Sequence, residues 1–175
     1  MKKILLILSI SFISITVILV FCTIFLINNN ISKNKNVKDY INNLNLTYND
    51  NEIYNYYPRI EIYKKNYIGM LINDTLSIEL PIEAKCDRFI QSSCLFNENK
   101  LVILATNLID SIPNYSEIDI DQEFTFNNFW DSKNVYKVEK IIHTNNIKNI
   151  SQYDSNFVLI IKDYYKMEYI IYICN

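Results

Sequence analysis

The chain has 175 residues, and its 17 basic and 19 acidic side chains leave a net charge of −2. These charges are interspersed and form no basic stripe, which argues against a nucleic-acid partner. A single histidine and four cysteines without a Cys-x-x-Cys pair make no recognisable zinc site, and no motif asks for a metal or another cofactor.

The first element is an apolar run from Ile4 to Ile27, preceded by Lys2 and Lys3 and free of charge, Pro and Gly. At helical rise its residues reach roughly 36 Å, enough to cross a bilayer with some tilt. A cleavable signal peptide would have an apolar stretch of about 7–15 residues ending at small residues. This run is longer, and the first alanine of the chain is Ala84. Cys22 follows Val20 and Phe21, which does not suit a lipoprotein acceptor. The run therefore reads as an uncleaved signal anchor. Lys33, Lys35 and Lys38 beyond it nearly balance the amino-terminal positive charge. Orientation then rests on the usual export behaviour of a first span, which puts residues 1–3 in the cytoplasm and Asn28–Asn175 outside the cell membrane.

Residues 28–57 read as a polar linker. Within it Val37, Tyr40, Ile41 and Leu44 repeat at helical spacing and predict a short amphipathic helix. The Asn-rich patches and the tyrosines from Tyr54 to Tyr57 follow the compositional bias of the whole chain, so they carry no functional reading.

From Pro58 the period changes to two, and residues 58–175 are expected to form one domain of about 120 residues. Arg59–Tyr63 and Ser77–Ile82 alternate, with Pro81 marking a strand end or sheet edge. Leu101–Ala105 and Phe157–Ile161 are unbroken apolar runs, as strands buried on both faces would be. Glu123–Phe126, Val135–Ile141 and Glu168–Ile173 complete the set, with short helical possibilities only near Asp87–Gln91 and Leu108–Pro113. Such a series predicts an all-β closed barrel or sandwich of seven to eight strands. Gly69 is the only glycine, so tight turns are expected to use Asn and Asp in left-handed conformations at Asn97–Asn99, Asp131–Asn134 and Asn145–Asn146. Among the aromatics, Phe124, Phe126, Phe129 and Trp130 form a cluster that would suit a peptide grip, but Phe124 and Phe126 read rather as hairpin core with Trp130 capping the turn.

Three cysteines lie outside the apolar run: Cys86, Cys94 and Cys174. In an exported domain Cys86 and Cys94 have the option of a bridge that leaves Cys174 unpaired; three separate half-buried thiols are the alternative.

The order of these segments resembles the sortases, membrane-anchored cysteine transpeptidases of Gram-positive cell surfaces. Arg59-Ile60-Glu61-Ile62 matches the basic-Ile-x-Ile opening strand of that family, and Leu80-Pro81-Ile82 its Leu-Pro-Ile strand end. Leu104-Ala105-Thr106-Asn107 stands where the family has Leu-Ala-Gly-His, and Tyr136-Lys137-Val138 matches a Tyr-x-Val strand. Phe157–Lys162 occupies the strand that ends in the family's cysteine, and Met167–Ile170 the strand bearing its arginine. The resemblance implies a sortase-like barrel over residues 58–175 behind a membrane anchor. It also places Asn107 in the histidine slot, Lys162 in the cysteine slot and Glu168, within a residue, in the arginine slot.

Lysine forms no thioacyl intermediate, asparagine does not shuttle protons near neutral pH, and glutamate repels a developing oxyanion. The resemblance thus points to a catalytically inactive sortase relative that binds a sorting-type peptide or a sortase partner. A divergent cysteine transpeptidase or hydrolase is the alternative, with a relocated site of His143 and Cys94 or Cys174, near Arg88. A surface β domain with no sortase role is the third.

Overall fold

The computed structural model describes residues 2–43, 57–86, 93–97, 100–107, 112, 115–129, 133–147 and 153–175. Among the described residues one α-helix, α1, runs from Lys2 to Asn42. Nine strands follow: β1 Ile60–Ile62, β2 Lys65–Asn73, β3 Ile78–Glu83, β4 Cys94–Asn97, β5 Leu101–Thr106, β6 Glu123–Asn128, β7 Lys133–Thr144, β8 Phe157–Asp163 and β9 Glu168–Cys174. A 3-10 turn at Tyr115–Glu117 lies between β5 and β6.

The sheet order is β1-β2-β3-β4-β5-β8-β9-β7-β6, and a further β2–β6 pairing joins its far end back to β2. Eight strands, β2 to β9, therefore close into a ring, and β1 is a short addition to β2. This agrees with the expected all-β barrel. Two pairings are parallel, β3–β4 and β5–β8; the others are antiparallel. β3 meets β4 only through Glu83 and Cys94, so Pro81, opposite Met70 of β2, costs no ladder bond on that side.

Alternation divides the apolar residues between two faces. Leu101, Ile103 and Ala105 of β5 point inwards with Phe157, Leu159 and Ile161 of β8, joining Phe124 and Phe126 of β6 in the barrel interior. Val102, Leu104, Val158 and Ile160 point outwards and pack with Ile171, Ile173 and Cys94 in a second cluster. Burial on both sides is why these two strands lack alternation in the sequence. Phe124 meets Phe157, and Tyr57 meets Phe126, both edge to face. Trp130 lies outside the described residues, as do both expected short helices except for buried Ile112.

α1 has no Pro or Gly to stop it, so the stretch expected to form a separate short helix is instead its last turns. There Val37 is buried against Ile62, Tyr67 and Phe129, with Ile41 alongside, and Lys38 pairs with Glu79 of β3. In the same helix the side chains of residues 11–25 are described without a gap, and all are exposed. Among the described residues no helix is long and apolar enough to cross a membrane.

The expectation for the turns is corrected. Among the described residues, positive φ falls on Tyr63, Lys64, Ser77, Asp121 and Met167 rather than on the asparagines at 97, 134, 145 or 146. Residues 98–99 and 131–132 lie outside the described set. Asp121 does take a left-handed conformation, at a turn other than those expected; elsewhere Asn and Asp serve the turns through their side chains. Asn73 Oδ1 accepts from the Leu76 amide at 2.9 Å, and Asp163 Oδ1 accepts from the Tyr165 and Lys166 amides at 2.9 and 3.1 Å.

Candidate functional site

β5 and β8 run in parallel register from Leu101 opposite Phe157 to Thr106 opposite Lys162. Their carboxyl ends lie side by side, and the Asn107 amide donates to the Lys162 carbonyl at 3.3 Å. β9 returns antiparallel, with Asp163 opposite Glu168 and Lys162 opposite Tyr169. Asn107, Lys162 and Glu168 therefore converge at one end of three adjacent strands, although they are distant in sequence.

The strand period sends consecutive side chains to opposite faces. Asp163 continues the inward row of β8 and is fully buried. It accepts the Tyr115 hydroxyl at 2.6 Å and the Asn107 side-chain amide at 2.7 Å, besides the two turn amides. Asn107 Oδ1 in turn accepts from the Tyr164 amide at 3.1 Å, so both ends of this side chain are engaged. The Tyr172 hydroxyl donates to the Tyr115 carbonyl at 2.8 Å and ties the 3-10 turn to β9.

Burial alone would raise the Asp163 pKa. The hydrogen bonds from Tyr115, Lys166, Tyr165 and Asn107 outweigh it and hold this carboxyl below the ordinary range. The bond to Asp163 is also the first cause of the raised Tyr115 pKa. At Tyr172 burial pushes the phenol up.

Lys162 points to the outer face. Its ammonium lies 4.3 Å from the Tyr164 ring centroid and 5.8 Å from that of Tyr169, which makes a cation–π contact. Glu168 takes His143 Nδ1 at 3.3 Å and Lys166 Nζ at 3.9 Å.

The structure places the remaining candidate residues apart from one another. Cys94 is joined to Cys86 in a disulfide, with their Cα atoms 5.1 Å apart. Cys174 is buried in the barrel interior, and burial pushes its thiol up to about 12, with the Glu139 charge adding to the effect. His143 stands opposite Ile170 on β9 while Cys174 stands opposite Val138, four residues further along β9. At strand rise that separation is roughly 13 Å. Arg88 lies outside the described residues. No group of potential metal ligands occurs among the described residues.

Two members of this network are not evident from the sequence. An Asp directly after an apolar strand is a turn signal, and it was available for Asp163. Nothing sets Tyr115 apart from the other tyrosines, because its role depends on the fold bringing it to β8.

Chemically, the strand ends present a neutral amide saturated by its neighbours, an ammonium over two phenol rings, and a carboxylate held by a histidine and a lysine. None of these is a thiolate, and the imidazole serves the carboxylate.

No protein-family model and no curated protein sequence matches the chain. Among solved structures, the pilus-related sortase C of Group B Streptococcus is 17% identical and superposes with a TM-score of 0.50 over 85% of this chain and 88% of its own. A Clostridium perfringens sortase C, solved with the C-terminal cell wall sorting motif, is 15% identical, with a TM-score of 0.50 over 82% of this chain and 85% of its own. Sortase A from Corynebacterium diphtheriae is 11% identical, with a TM-score of 0.52 over 63% of this chain and 60% of its own, less than two thirds of its length. With the eight-stranded ring and the convergence of the β5, β8 and β9 ends already in view, these superpositions identify the fold of this chain as sortase-like.

Proposed function

We propose that this chain is a membrane-tethered, extracellular sortase-like domain that no longer performs transpeptidation and acts by binding a sorting-type peptide or a sortase that handles one. The observation that carries this reading is the content of the three strand ends. Asn107, Lys162 and Glu168, which the sequence resemblance assigns to the family slots, stand there, and Asn107 is hydrogen-bonded at both ends to Asp163 and Tyr164. A relocated thiol site is disfavoured, since Cys94 is held in a disulfide and burial pushes the Cys174 thiol up to about 12, away from the reactive thiolate. The sorting motif bound to the Clostridium perfringens sortase C supports a peptide as the ligand class.

The apolar run Ile4–Ile27 supports the tether. It lies within a helix in which the side chains of residues 11–25, Phe12 and Phe25 among them, are all exposed, as lipid-facing residues would be. The Cys86–Cys94 disulfide supports an oxidising compartment and hence an external domain.

A labelled sorting peptide incubated with the chain in detergent is expected to show no turnover above the peptide alone. Thiol-dependent turnover abolished by Cys174→Ala or Cys94→Ala would overturn the inactive reading. Protease treatment of intact cells is expected to remove the domain beyond Asn28; full protection would reverse the orientation.

A further inference from the structure

We propose that the outer face at the ends of β5 and β8 is a carboxylate-binding site, and that the ligand is a peptide ending in a free carboxylate rather than an intact chain passing through. This inference rests on the peptide-binding reading above and names the ligand group that the site recognises.

Two observations point to it independently. Thr106 is 1% exposed, and its hydroxyl has no hydrogen-bond partner among the described residues. A buried hydroxyl left unpaired carries a desolvation cost that a bound acceptor would remove. Directly opposite in the parallel ladder stands Lys162. Both residues continue outward rows, Thr106 after Val102 and Leu104, Lys162 after Val158 and Ile160. Among the described residues Lys162 has no carboxylate within ion-pair distance; the Tyr164 and Tyr169 rings are its company.

An ammonium without a counter-ion among the described residues, beside a hydroxyl without a partner among them, suits an anion with two oxygens. The carboxylate accepts from Lys162 Nζ and from Thr106 Oγ1, and the charge makes both bonds stronger than those to a neutral mid-chain carbonyl. Lys162 is half-exposed, so a ligand arriving from solvent meets its ammonium first and draws it from the rings towards Thr106. The neighbouring acids do not compete for it. Asp163 faces the interior and is saturated by four donors, and Glu168 is paired with His143 and Lys166.

The test uses the full chain in detergent micelles and fluorescence anisotropy. The probe is a pool of tetrapeptides built from Ala, Leu, Pro and Thr, carrying a neutral dye at the amino end, so that the terminal carboxylate is its only charge. The free-acid pool is expected to bind at least tenfold more tightly than the same pool made as carboxamides. Lys162→Met should remove that difference and Lys162→Arg restore most of it. Thr106→Val, of nearly the same shape, should weaken free-acid binding about threefold while leaving the melting temperature unchanged or raised, since it removes an unpaired buried hydroxyl.

Equal binding of the two pools, no binding of either, an unchanged Lys162→Met variant, or displacement by inorganic phosphate as readily as by acetate would each overturn the carboxylate site. Equal binding without turnover would leave the peptide-binding reading standing. Turnover of an intact sorting peptide would remove that reading whichever pool is preferred.

Discussion

At the scale of single residues, the site depends on Asp163. Carboxylates are rarely fully buried, and this one is retained because four donors reach it from a tyrosine, an asparagine and the turn it opens. Asp163→Ala leaves the Tyr115 hydroxyl, the Asn107 amide and two turn amides short of an acceptor, and should lower stability by about 2–4 kcal/mol in urea unfolding. The sign of the pH effect follows from the depressed pKa. A folded pKa below the unfolded value, near about 4 for Asp, gives stability that is complete above that value and lost as pH falls through the folded one. The acid limb of the stability curve should therefore be shallower in Asp163→Ala than in the parent chain. Lys162 shows the same contrast of location at the next position: one step along the strand moves the side chain to the outer face, where an ammonium tolerates half-burial over aromatic rings.

At the scale of elements, the β1–β2 hairpin shows local preference overruled by pairing. Ile62 and Lys65 pair across a two-residue loop in which Tyr63 and Lys64 both have positive φ, at 51° and 65°. That is the primed turn matched to strand twist, and its favoured residues are Asn and Gly. A side chain bearing Cβ costs about 1–2 kcal/mol in this region. Lys64→Gly should therefore raise stability by about 1 kcal/mol in denaturant unfolding, part of the relief being offset by the freer unfolded chain. The β8–β9 turn follows a different rule. Its left-handed position is Met167, and the cost is offset by the hydrogen bonds that Asn107 accepts from the Tyr164 amide and Asp163 from the Tyr165 and Lys166 amides. The polar network that fills the candidate site is thus also the support of a hairpin.

At the scale of the whole molecule, barrel closure depends on the single glycine. Gly69 sits in β2 at φ +154°, just after a register shift against β3, and pairs with Asn128 where β6 closes the ring. A Cβ there would lie 2.2 Å from the Asn127 carbonyl oxygen, a backbone atom with little room to give. Gly69→Ala should lower stability by about 3 kcal/mol or more, and amide exchange should rise first in β6 and the facing part of β2, before β5 and β8. Closure also sets the address of the site. It brings the ends of β5, β8 and β9 together on one rim, and the docking of Val37 and Lys38 fixes the last turns of α1 against β1, β2 and β3.

The all-β class, most of the strands and the two doubly buried ones were legible in the residues, because alternation and its absence report directly how many faces of a strand are covered. That Asn107, Lys162 and Glu168 stand at the ends of β5, β8 and β9 was legible too, from their places along an ordered series of strands. The turns were not: a left-handed position taken by Tyr, Lys or Met is imposed by the register of its flanking strands and leaves no local mark. Nor was the network of Asp163, Tyr115 and Asn107, whose members are brought together by contacts across 48 and 56 residues of sequence. Sequence by itself determined which residues prefer a sheet and which face each covers. Only the tertiary structure decided which polar groups would meet at the strand ends, because hydrogen bonds between distant segments form after the barrel has closed.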